Sequence, residues 1–439
     1  MTDHAISDPP LRWLFLDLNS YFASCEQQLQ PRLRGKPVVV APVDSEHTCA
    51  IAASAEAKKF GIKTGTIISE AREKCPGLIV VNARHDEYVK FHHRIIEEVW
   101  NHIPVTAVCS IDEVACRLIG RERSPEYAMD LARRIKQGIR TSVGECLTCS
   151  VGIAPTKLLA KIGSDMQKPD GLTVLESHDL PGKLLRLKLT DLPGIGWNMV
   201  RRLEERQVPD IATLWNLQPK QARAIWGSIE GERFWYAIHG FDLPERETKR
   251  SSIGHSHVLA SVMRTLPPAR LVARRLLLKA ATRLRRMDYA ASALVLHARF
   301  ENSTKSSMWG ARRSWSDEQG WADDTRLAPT QDSATLLATL DELWNGLERD
   351  HSGRRIKAVG IVLHGLCPIG AVMPDLFAAI MRPGDALPRG VNLFNAVDRI
   401  NKKYGQDTVA LGVLPGQIAK YVGAKIAFNR IPDMAEFDE

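Results

Sequence analysis

No uninterrupted apolar run in this sequence is long enough to cross a bilayer, and its opening residues lack the basic start and apolar core of a secretion signal. Both shortages predict a cytoplasmic protein with no membrane partner. The one Cys-x-x-Cys, Cys146 to Cys149, has no second ligand pair near it, and the other six cysteines are scattered. That argues against a zinc site and leaves reduced core thiols as the default. Internal repeats and low-complexity blocks are missing too. A last shortage is local. Between residues 267 and 287 stand Arg270, Arg274, Arg275, Lys279, Arg283, Arg285 and Arg286, with no acid among them. A charge run is ordinarily a solvated helix face, but so one-signed a run better fits a surface that tracks phosphates.

What is present fits a soluble chain of several domains. At 439 residues it should hold two to four, and its apolar fraction of 44% and charged fraction of 25% are ordinary. The net charge of +8 favours a polyanionic partner without saying anything of fold.

Two short stretches carry the chemistry. Asp17 closes the apolar run Trp13-Leu14-Phe15-Leu16, and Asp112 and Glu113 follow Cys109-Ser110-Ile111. A carboxylate inside a sheet is costly to bury without a partner. Three of them at a sheet edge suit a divalent cation held through oxygen, as two-metal phosphoryl transfer requires. Taken alone, any one of these acids is a turn former or a helix N-cap. An ideal strand also points Asp112 and Glu113 to opposite faces. Both can serve one site only at a hairpin end or a bulge.

Six motifs in order resemble the Y-family, or translesion, DNA polymerases, in the bacterial branch that includes polymerases IV and V. They are Asp17 with Tyr21-Phe22-Ala23; Arg34-Gly35-Lys36-Pro37; Ser110-Ile111-Asp112-Glu113; Ser150-Val151-Gly152-Ile153-Ala154; Asp165-Met166-Gln167-Lys168-Pro169-Asp170-Gly171; and Leu192-Pro193-Gly194-Ile195-Gly196. The resemblance spans about residues 11 to 370 and implies an α+β multidomain fold. A ferredoxin-like palm (11–22 and 79–175) would carry small inserted fingers (23–78). A helical thumb with a helix–hairpin–helix (176–240), a linker (241–252), an α+β little finger (253–370) and a tail (371–439) would follow. Strand, helix, hairpin, helix and strand in the palm segment fit that order.

The resemblance also implies roles. Asp17, Asp112 and Glu113, with the Leu18 carbonyl, would bind two magnesium ions. Phe22 would be the steric gate against a 2′-hydroxyl, beside Tyr21, and Lys58 and Lys168 would bind triphosphate. Phe22 could equally be the first core residue of its helix, Lys58 a solvated face, and Lys168 a surface lysine in a turn. The fingers depart from the family pattern: Ala52, Ala55 and Lys58 stand where many relatives have Thr, Tyr and Arg. Lysine keeps the charge but not the bidentate fork, so weaker nucleotide binding is expected. Gly194 and Gly196 would let a DNA phosphate approach the backbone, with Arg201, Arg202, Lys249, Arg250, Arg274 and Arg275 as further DNA contacts. Met373, Asp375, Leu376 and Phe377 resemble a sliding-clamp peptide, though a linker with two apolar anchors would read the same.

The function implied is a low-fidelity DNA-directed DNA polymerase acting on primer-template DNA and dNTPs, with SOS accessory proteins as further partners. No proofreading nuclease is present in the sequence. Two readings compete. A non-catalytic accessory protein is opposed by the three acids but kept alive by Ala52 and Ala55. A nucleotide cyclase, which shares a palm-like sheet, is opposed by the helix–hairpin–helix and the basic helix.

Overall fold

The computed structural model describes residues 10–43, 45–246, 251–301, 320–372, 389–405 and 408–411. The chain divides into two units, one ending at Glu245 and the other beginning at Arg246. In chain order the first runs β1 (Trp13–Leu18), α1 (Tyr21–Leu29), β2 (Val38–Ala41), β3 (Ala52–Ala53), α2 (Ala55–Lys58), α3 (Ile68–Lys74) and β4 (Ile79–Asn82). It continues with α4 (His85–Trp100), β5 (Val105–Val108), β6 (Glu113–Arg117), α5 (Pro125–Gly138), β7 (Cys149–Ala154), α6 (Lys157–Met166) and β8 (Leu172–Val174). Four short helices close it: α7 (Trp197–Glu204), α8 (Ile211–Trp215), α9 (Pro219–Trp226) and α10 (Ile229–Ile238).

Every residue of β1 is buried, which puts this strand in the middle of a sheet of order β5-β6-β1-β7-β8. Alternation along β1 splits its side chains between two cores. Leu14, Leu16 and Leu18 pack with Tyr88 and Ile95 of α4 and Leu131 and Ile135 of α5. Trp13 and Phe15 pack with Leu159 and Ile162 of α6 and with the short helices. Asp17 shares the second face by the same alternation. A backbone-on-backbone contact brings α6 down onto that face: a Cβ at Gly152 of β7 would lie 1.9 Å from the Ala160 carbonyl oxygen. Any side chain there would push α6 off the sheet.

A second, smaller sheet of order β3-β2-β4 has its own core, including Val39, Ala53, Ala57, Ile68 and Ala71. The boundary expected at residue 79 falls inside it, because β4 pairs in parallel with β2. The expected start at residue 23 also shifts, since Ala23 and Cys25 of α1 lie in the α4–α5 core.

The second unit runs β9 (Ser252–Val258), α11 (Leu266–Arg286), β10 (Tyr289–Phe300), β11 (Gly320–Thr330), α12 (Ser333–His351), β12 (Ile356–His364) and the helix Arg389–Tyr404. Its antiparallel sheet, β11-β10-β12-β9, packs Leu294, Leu296, Val359, Ile361 and Leu363 against Leu277, Leu284, Leu340 and Trp344 of α11 and α12. The strand expected at 305–315 lies outside the described residues. All eight cysteines are unpaired thiols.

Candidate active site

Asp17 and Glu113 stand directly opposite each other on β1 and β6, so their side chains leave the same face of the sheet. Asp112 does not lie in the strand. It sits in the turn of the β5–β6 hairpin, where the Cys109 amide donates to the Glu113 carbonyl (2.9 Å) and the Ser110 hydroxyl to the Asp112 carboxylate (2.5 Å). The hairpin end thus resolves the conflict between two adjacent acids and one site. The Leu18 amide donates to the Asp112 carbonyl (2.9 Å), which ties the turn to the end of β1. Desolvation raises the Asp112 carboxyl above the usual carboxylate range; the Ser110 bond opposes this, and the charges of Asp17 and Glu113 add to it.

Helix α6 and the loop that follows it lay two lysines over these acids. The Lys161 ammonium contacts Asp17, sits 2.8 Å from Glu113 and 3.2 Å from Asp165. Lys168 lies 2.7 Å from both Asp17 and Asp165. Burial works against the Lys161 charge, yet the three carboxylates together raise its pKa above the ordinary lysine value. Asn19 positions the loop that carries Lys168: its side-chain oxygen accepts from the Asp170 amide (2.7 Å), and its amide donates to the Ser150 hydroxyl (3.0 Å). Lys161, Asp165 and Asn19 carry no expected site role. The signal for the first two was in the sequence, as an i,i+4 Lys–Asp pair one turn apart on the helix that precedes Lys168.

The donor set suits a hard divalent cation. All its ligand atoms are oxygens, and a cation already bridges two of them here, since the Lys161 ammonium touches Asp17 and Glu113 together. Asp17, Glu113 and Asp165 contact the two ammonium groups, and Asp112 adds a fourth carboxyl beside Asp17 and Glu113.

Tyr21 and Phe22 open α1 and are 4% and 7% exposed. Lys58 ends α2, exposed as a residue; partial burial of its ammonium and the like charge of Lys168 lower its pKa, against the pull of Asp17. Ala52 is in β3 and Ala55 begins α2. Between them the Ser54 hydroxyl caps α2 by accepting from the Ala57 amide (3.2 Å).

Leu192-Pro193-Gly194-Ile195 forms a turn closed by the Ile195 amide on the Leu192 carbonyl (3.0 Å), with Gly194 at φ +88°. Proline second and a positive-φ glycine third is the signature of a type II turn. Gly194 and Gly196 face open space, and Arg201 and Arg202 are exposed on α7.

The second unit treats its arginines differently. Arg274 donates twice to Asp341 of α12 (2.9 and 2.8 Å), and Arg270 lies 3.1 Å from the same acid. Arg275 acts on His257 of β9, whose pKa falls by burial and then by that charge. Lys249, Arg250, Met373, Asp375, Leu376 and Phe377 lie outside the described residues.

Comparison with known proteins gives the family. Residues 16–165 match the impB/mucB/samB family and residues 250–376 its C-terminal domain. A protein named DNA polymerase IV from Moorella thermoacetica is 32% identical over 94% of this chain and 98% of its own length. The chain belongs to the Y-family of DNA polymerases. A DNA polymerase IV from Pelotomaculum thermopropionicum is 30% identical over the same shares of the two chains. Among solved structures, a Y-family polymerase chimera aligns with a TM-score of 0.65 at 25% identity, over 81% of this chain and 98% of the chimera. An insertion ternary complex of the Dbh polymerase aligns with a TM-score of 0.51 at 25% identity, over 80% and 98%.

Proposed function

We propose that this chain extends a primer 3′-hydroxyl with deoxynucleotides against a DNA template and tolerates damaged template bases. The observation that carries the reading is the register of Glu113 with Asp17 and the place of Asp112 at the hairpin end. Asp17, Asp112, Glu113 and the Leu18 carbonyl would hold two magnesium ions, which when bound lower the pKa of the attacking hydroxyl and neutralise charge on the pyrophosphate. Around them the chain's own groups bind and orient. Lys168, fixed through Asn19, supplies an ammonium group beside the acids for the triphosphate, where it opposes the charge of the leaving group. Lys58 adds a second cation, its pKa lowered by partial burial and by the like charge of Lys168. Phe22 offers its ring to the sugar.

The turn at Gly194, with Gly196, Arg201 and Arg202, would receive a phosphate of the duplex. Arg275 would add a DNA contact in the second unit, and Arg274 only if it left Asp341. On family resemblance the reading extends to a sliding clamp at Met373, Asp375, Leu376 and Phe377, to DNA contacts at Lys249 and Arg250, and to action in the SOS response. The three acids argue against the accessory reading, and Ala52 and Ala55 in the fingers are what would favour it.

Primer extension with purified protein, magnesium and dNTPs on undamaged and abasic templates tests the proposal. Extension that disappears in Asp112→Ala/Glu113→Ala is expected. No extension by the unaltered chain, with primer-template binding intact and clamp supplied, would overturn it in favour of the accessory reading.

A further inference from the structure

The ring proposed to exclude a 2′-hydroxyl does not stand alone. Phe22 stacks on Tyr88 of α4, with centroids 4.6 Å apart and planes at 17°. His85 meets both rings edge-on, at 6.0 Å from Phe22 and 5.7 Å from Tyr88. Tyr88 is fully buried and is held at both ends. Its carbonyl accepts from the Tyr21 hydroxyl (2.6 Å), and its own hydroxyl donates to Glu26 (2.8 Å). Glu26 lies one helical turn after Phe22 on α1, is 0% exposed, and is gripped by both nitrogens of the Arg84 fork. Arg84 reaches solvent with 40% of its side chain. A buried carboxylate needs such a partner, and a bidentate arginine fixes its plane as well as its charge.

An aromatic ring that merely filled a core would not require this. Met or Leu would pack as well, with no charge buried behind it. The chain instead runs Arg84 to Glu26 to Tyr88 to Phe22, and each link removes one freedom from the next. Steric exclusion of a single oxygen depends on where the gate ring is held to within a fraction of an ångström, and a site is only as rigid as its supports. We infer that Tyr88 is a specificity-determining positioning residue, locked by Glu26 and Arg84, that sets the Phe22 ring against the sugar and so governs discrimination between deoxyribonucleotides and ribonucleotides. This rests on the polymerase reading and on Phe22 as the gate.

Single-nucleotide insertion of dCTP and of CTP opposite template dG tests it, with kcat and KM measured separately for the unaltered chain, Tyr88→Leu and Tyr88→Phe. Tyr88→Leu removes the stack and should lower the dCTP-to-CTP ratio of kcat/KM about tenfold, the scale at which one packing contact changes discrimination. The change should come from improved CTP insertion, with dCTP insertion close to unaltered. Tyr88→Phe keeps the stack, loses the Glu26 anchor, and should fall between. Should Tyr88→Leu fail to fold by thermal melting, Tyr88→Phe carries the test alone. A ratio unchanged in the folded variants, or a matched loss for both nucleotides, would overturn the inference and reduce Tyr88 to packing. Failure of the unaltered chain to insert dCTP would instead strike the polymerase reading itself.

Discussion

In the first unit, four carboxylates converge at one end of a sheet and two lysines only partly balance them. In the second, three arginines of α11 (Arg270, Arg274 and Arg285) meet acids from other helices. Arg274 shares Asp341 with Arg270, while Arg285, 7% exposed, donates to both oxygens of Asp398 on the helix Arg389–Tyr404 and to Ser333. The two regions look alike as sequence, each a concentration of charge. They differ in whether the structure completes the balance. A site is where it leaves charge over for a ligand, and a matched cluster is a support.

That contrast can be broken most sharply at the acids. Asp17→Asn or Glu113→Gln should lower primer extension by about 1000-fold or more, the upper scale for losing a positioned charge in a site. Primer-template binding measured by fluorescence anisotropy should change little. Asp398→Ala should do the reverse. It strands a buried guanidinium, at a cost of about 3 kcal/mol in stability read by denaturant unfolding, while extension at low temperature persists.

Acid should act on both units alike, through buried neutral histidines: burial pushes His92 of α4 down from 6.5 to about 4. Burial, and then the charge of Arg299, push His297 of β10 down from 6.5 to about 4. The unfolded chain therefore binds a proton that the folded chain refuses, so stability is full above pH 6.5 and falls as the pH drops toward 4. Each such histidine should contribute a slope of up to about 1.4 kcal/mol per pH unit to the unit that holds it. His297→Gln should flatten that part of a melting-temperature profile if it folds with the ring's space filled.

The smallest effects concern DNA. Arg201→Ala and Arg202→Ala should each lower the salt slope of primer-template binding by about one. Arg274→Ala should leave that slope unchanged if Asp341 holds its charge in the complex, and a matching drop would return it to the DNA-contacting set.

Much of this was legible in the sequence where apolar pattern and turn chemistry agree. The succession of elements along the first sheet's segment, the hairpin bearing Asp112 and Glu113, and β12 at Ile356–His364 follow from the apolar pattern, while the palm they fit came from the family resemblance. Strand β11 did not show itself. It is an edge strand whose residues Gly320–Thr330 include Asp323, Asp324, Arg326 and Pro329, so no apolar alternation marks it. The pairing of β4 with β2 was hidden because a parallel partner leaves no turn signal between the strands. The basic run of α11 misleads for a related reason, since its balancing acids stand far away at Asp341 and Asp398. At the site, the three acids were readable from their apolar flanks. Asn19 was not, and the i,i+4 pair of Lys161 with Asp165 did not say which acids it would face, because those contacts arise only when Gly152 lets α6 settle on the sheet and the loop at Asp170 folds back to β1.

The most direct measurement is the number of manganese ions, as a spin-active substitute for magnesium, bound per chain in a complex with dideoxy-terminated primer-template and the next dNTP. Two ions in the unaltered chain, with at least one lost in Asp112→Asn/Glu113→Gln, is the result this account predicts. Two ions retained by that variant would contradict it, because the hairpin acids would then not hold the metals.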